Sequence, residues 1–169
     1  MTKIEEALKK PDRIIRIRTN DLLSTDEARK AGLSVELVSV LDRNRQLLEV
    51  GLRLAAKDPI DSRERELFFD PEDLEALCRS TRRVFEVVNE RTQSVAEQLP
   101  IRYIHSEKLI FSAPGTRQTD PVMLIVGDER PRLGIRPVTI TLEGVGLQDL
   151  DAALRRSVRA VEQVRESAR

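Results

Sequence analysis

Tryptophan is absent, and one tyrosine with four phenylalanines makes up the whole aromatic content. That scarcity argues against base stacking or sugar platforms as working surfaces. A single cysteine, Cys78, excludes an intramolecular disulfide, and a single histidine, His105, excludes an ordinary Cys/His zinc site. Net charge is lacking as well: 29 basic residues balance 29 acidic ones, so no global field draws the chain to nucleic acid, an anionic membrane or acidic substrates. The longest apolar run is only Val122 to Val126, far short of a membrane span. The N-terminal MTKIEEALKK alternates charge with apolar residues instead of forming a signal sequence, so the expected compartment is the cytoplasm, with no membrane partner.

What is present is a chain of 169 residues, 40% hydrophobic and 34% charged, which suits one soluble domain over 1–169. Thr2 and Glu5 form a capping box for a short helix that stops before Pro11, and Ser24 with Glu27 repeats the pattern before a helix ended by Gly32. RIIRIRT, residues 13–19, alternates as a strand with Arg16 and Arg18 outward. From Val35 to Lys57 the apolar residues fit one broad helical face, and an acidic connector from Asp58 to Asp70 follows. Asp70-Pro71-Glu72-Asp73 is a strong helix start, and that helix is expected to run to Leu99. The period then falls to two, predicting strands at 101–104, 109–112, 122–126 and 137–142 before a last helix from Leu147 to Ser167.

The two long helical patterns set the expected fold class: α+β, a mainly helical part over 1–99 built on a long helical hairpin, then a mainly antiparallel sheet of four or five strands over 100–169 covered by the C-terminal helix. Asn44 falls on the midline of the first stripe with Gly51 one heptad on and Leu48 beside them, while Val88 and Val95 sit at heptad spacing on the second. A polar residue in such a seam fixes register or oligomeric state, and a glycine lets helices approach closely. Asn44, Leu48, Gly51, Val88 and Val95 are therefore the expected interface.

Catalytic, cofactor and metal assignments are all none: there is no GxSxG, no phosphate-binding glycine loop and no HExxH, and the acids of the connector lack the order that shapes a calcium loop. Arg16, Arg18, Arg43, His105 and Arg117 are weaker candidates for ligand or partner contacts, with Arg117 inside the polar excursion from Ala113 to Pro121. The arginines at 79, 82, 83, 155, 156 and 159 have acids at helical spacing or suit a helix C-terminus, so they read as a solvated face.

Arg43, the LLEVG ending at Gly51 and the later DPEDLEALCRS resemble the pattern of the all-helical chorismate mutases over 38–98. The resemblance implies helices there, yet Leu54 stands at the family's catalytic lysine and Asp26 near its N-terminal arginine. No family follows from it. The functional expectation is a non-catalytic, self-associating scaffold, adaptor or assembly protein. Its partners are a second copy and another protein, and nucleic acid is an unfavoured one. The alternatives are a nucleic-acid-binding regulator using its arginine faces, and a small-molecule enzyme with an active site on the helical hairpin.

Overall fold

The computed structural model describes residues 1–11, 15–90, 101–115, 119–128 and 136–169, with backbone only for 15–20 and 101. In chain order the elements are α1 (Lys3–Lys9), β1 (Ile15–Asp21), α2 (Asp26–Lys30), β2 (Leu33–Leu41), β3 (Leu47–Lys57), β4 (Glu64–Phe69) and α3 (Pro71–Asn89), followed by β5 (Ile101–Ser106), β6 (Leu109–Ala113), β7 (Val122–Val126), β8 (Val138–Leu142) and α4 (Gly144–Ser167). The strands form two antiparallel four-stranded meanders, sheet A in the order β1-β2-β3-β4 and sheet B in the order β5-β6-β7-β8. Each meander is followed by a helix, and α3 packs along α4.

The fold is α+β, but the expected helical hairpin does not exist. Residues 33–57 form a β-hairpin, pairing Leu37 with Leu52 and Val35 with Leu54. Its turn is built by Asp42, whose Oδ1 accepts from the backbone N–H of Asn44 at 2.8 Å and of Gln46 at 2.9 Å, while Arg45 adopts a left-handed φ of 60°. Asn44 is thus an exposed turn residue, and the resemblance to a helical enzyme falls with the helix. The acidic connector also pairs: Glu64–Phe69 is β4, antiparallel to β3. Residues 1–99 are therefore about as much sheet as helix among the described residues and not mainly helical, with α3 ending at Asn89 and 91–99 of its expected length outside them.

The reason is burial on both faces of sheet A. One face sends Val35, Leu37, Val50, Leu52 and Leu54 into the main core, shared with α3, α4 and the inner face of sheet B. The other face carries Val38, Val40, Leu48 and Phe68, which α1 covers with Ile4, Ala7 and Leu8. Two apolar faces on one strand erase the alternation that a half-exposed strand shows, and a dense apolar run fits a helical wheel as well.

Local chemistry holds the pieces in place. The capping box of α1 is formed: Glu5 N–H donates to Thr2 Oγ1 at 3.3 Å and Thr2 N–H to Glu5 Oε2 at 2.8 Å. Asp70, expected to cap α3, instead accepts the N–H groups of Lys3 at 2.8 Å and Ile4 at 3.0 Å, so it caps α1 from across the sheet. The four strands of sheet B lie where the period of two placed them, with VMLIV paired on both sides. Gly32, at φ 103°, sits where a Cβ would meet the carbonyl oxygen of Lys57 at 2.1 Å, so only glycine closes the turn into β2.

Candidate functional site

Four polar constructions stand out among the described residues. On the outer face of sheet A, Arg53 is buried yet bonded to Glu66 at 2.5 Å, to Glu64, and to Glu36 at 3.5 Å. Burial works against its charge, but the hydrogen bond it donates to Glu66 and the fields of the three glutamates raise its pKa. One guanidinium thus ties β2, β3 and β4 together across strands, a role suited to its fork of donors.

Asp149 and Asp151 lie buried on α4. Asp149 accepts four hydrogen bonds, from the backbone N–H and hydroxyl of both Ser24 and Thr25, at 2.7–3.0 Å. Burial pushes its pKa up, and those bonds more than reverse that, leaving it lowered. It anchors the start of α2, replacing the capping box expected from Ser24 and Glu27. Asp151, its side chain 2% exposed, is clamped by Arg82 at 3.1 Å and Arg155 at 3.0 Å, joining α3 to α4. Arg82 also pairs with Glu86, so the arginines at 82 and 155 serve packing instead of forming a free basic stripe.

His105 on β5 shares a 2.7 Å hydrogen bond through Nδ1 with Ser80 Oγ of α3, and its ring lies tilted 6.1 Å from Phe69. Burial holds its pKa below the usual value, with Asp73 pulling weakly upward. Serine beside imidazole is the start of a nucleophilic pair, but Asp73 reaches the ring only through its field, and Ser80 is itself buried. The bond couples α3 to the edge of sheet B.

A cleft of about 1040 Å³ opens between the hairpin end of β2–β3 and the last turns of α4. Leu22, Leu37, Leu41, Leu47, Ala160 and Val164 supply its apolar walls. The polar groups among the described residues of the lining are Ser39, Arg45, Gln46, Gln163 and Ser167. Arg43, one turn residue away from Arg45, is exposed and does not line it.

The residues expected to form one interface are scattered. Asn44 is in the turn, Leu48 and Gly51 lie beneath α1, and Val88 is in the main core. At Gly51 a Cβ would meet the Phe69 carbonyl oxygen at 2.6 Å, so glycine is needed for strand packing and not for a helical approach. The backbones of Arg16 and Arg18 pair with Val40 and Val38 in β1, while their side chains, with Val95 and Arg117, lie outside the described residues. Ser39, Arg53, Ser80, Asp149 and Asp151 were missed. Asp149 and Asp151 had a signal, two acids flanking Leu150 within an apolar stripe, whereas Arg53 becomes legible only once three strands bring the glutamates to it. Among the described residues no three His, Cys, Asp or Glu side chains converge to hold a metal ion, and no helix is long and apolar enough to cross a membrane. No family model matches the chain, and no curated protein matches it.

Proposed function

We propose that the chain is a non-catalytic, self-associating protein of the scaffold, adaptor or assembly class, and that a second copy meets the outer face of sheet B. The observation carrying this reading is Ile104, 62% exposed on that face. Register extends it into a row, Ile104–Ile110–Ile125–Thr139, beside a second row of Arg102, Ser112, Met123 and Thr141. Ile110 is buried, Met123 and Ile125 are half-buried, and both threonines are exposed. Sheet A hides its corresponding face beneath α1, and no described helix packs on this one.

The occupant follows from charge. Arg102 is the one charged residue in the two rows, so the face offers little field to a strongly acidic or basic partner. A copy related by a two-fold axis brings β-branched and small polar residues against their equals and keeps the two Arg102 side chains at opposite ends. Sheets stacked in this way interdigitate at about 10 Å. Light scattering should find a dimer or larger assembly, and Ile104→Asp should release monomers with an unchanged circular dichroism spectrum. A wild type that stays monomeric at high concentration overturns the reading.

A further inference from the structure

We infer that the cleft between the β2–β3 hairpin and α4 is a binding site for a single-chain amphiphile with a monoanionic head, such as a medium-chain carboxylate. Three observations converge on it. The walls are aliphatic, built from Leu22, Leu37, Leu41, Leu47, Ala160 and Val164. Ser39 lies among them only 7% exposed, and among the described residues its hydroxyl has no hydrogen-bond partner. A buried hydroxyl is normally satisfied, so an unpaired one opening into a cleft marks a place where another molecule supplies the partner. The third is charge: among the described residues of the lining Arg45 is the one ionised group, at the mouth with a left-handed backbone, and no described carboxylate accompanies it.

These features orient the ligand. Arg156 donates to the Leu22 carbonyl at 2.5 Å, which places the earlier turns of α4 beside Leu22 and its last turn beside the hairpin. The tail therefore runs inward over Val164 and Ala160 toward Leu22, and the head stays at the mouth near Arg45 and Gln46. Ser167 and Ala168 bring the C-terminal end of α4 to the same mouth. Its carbonyls carry partial negative charge, about half an electron at most, so the carboxylate sits on the hairpin side where the full guanidinium charge is. A volume of about 1040 Å³ leaves room for such a chain with water around its head. The site is on the inner side of sheet A and stands independently of self-association through sheet B.

Calorimetric titration of the full chain with octanoate, decanoate and dodecanoate, each below its micelle concentration, tests this. Saturable one-site binding is expected, tightening by up to about fourfold per added methylene. Decanoate should bind about two- to fivefold tighter than decanol, the range of a solvent-exposed ion pair, and Arg45→Gln should erase that preference while leaving decanol affinity unchanged. Val164→Trp should abolish binding of both, with Ala160→Phe as the second block should the first not fold. Absence of saturable binding, unchanged affinity in a folded blocking variant, or a preference that survives Arg45→Gln each overturns the proposal.

Discussion

Arg53 shows how much one side chain holds. Three carboxylates on the two flanking strands converge on its guanidinium, and removing it would leave them facing one another without a counter-charge. Breaking a buried ion pair costs about 3–5 kcal/mol, and the partial exposure of Glu64 and Glu66 lowers that. Arg53→Met should therefore destabilise by roughly 2–3 kcal/mol in urea unfolding, and a loss below about 0.5 kcal/mol would show that water already screens the cluster. Cys78 makes a different statement. Burial, with help from the Asp151 charge, pushes its thiol up to about 11, so the native protein should react very slowly with a disulfide reagent at neutral pH and promptly once unfolded. Rapid stoichiometric labelling of the native state would contradict that environment. For His105 the sign is set by the lowered pKa: the unfolded chain takes up a proton near the ordinary value of 6.5 while the native chain resists it. Its contribution to stability is complete above that value and is lost as pH falls below it. Urea midpoints should drop between pH 7.5 and 5.5, and His105→Gln should flatten that drop; an unchanged slope would place the titrating group elsewhere.

The elements show which kinds of sequence signal survive folding. Thr2 with Glu5, Pro71 at a helix start, Gly32 at a positive φ and the alternating strands of sheet B were legible because each depends on a few neighbouring residues. The segment from Leu33 to Lys57 was misread because its outward side is as apolar as its inward side, a consequence of α1 lying on Val38, Val40 and Leu48. The period of two is still there in Val50, Leu52, Leu54 and Ala56 against Glu49, Gly51 and Arg53, and Asp42 through Arg45 holds the turn chemistry. Asn44 looked like a misplaced core amide only while the helix stood. Asp70 illustrates a limit of another kind: its sequence position marks α3, but its carboxylate serves α1, sixty-six residues from Ile4. Gly51 tests this view of α1 and sheet A. A methyl there runs into the Phe69 carbonyl and Ile4, so Gly51→Ala should cost about 1–3 kcal/mol by thermal or urea unfolding, and a neutral effect would mean that the strand shifts freely beneath the helix.

At the scale of the molecule, the helical interface expected at Asn44, Leu48, Gly51, Val88 and Val95 falls with the hairpin, and self-association is proposed through another surface. Neither the cleft nor the face of sheet B was legible, because each is assembled from strands and helices distant in sequence, with β2, β3 and α4 around one and four strands across the other. Both halves of the chain share one core, in which α3 and α4 meet and the inner faces of the two sheets are buried. Among the described residues no helix packs on the outer face of sheet B, the surface on which a second copy is proposed to sit. The most direct measurement uses a spin label at Thr139→Cys in a Cys78→Ser background, with Glu27→Cys on α2 as a control. Pulsed dipolar spectroscopy should show a defined distance between copies for the Thr139 label, consistent with sheets stacked about 10 Å apart, and Ile104→Asp should abolish it. No coupling between Thr139 labels at concentrations well above those used for scattering, or a shorter distance between the Glu27 labels, would contradict assembly through this face.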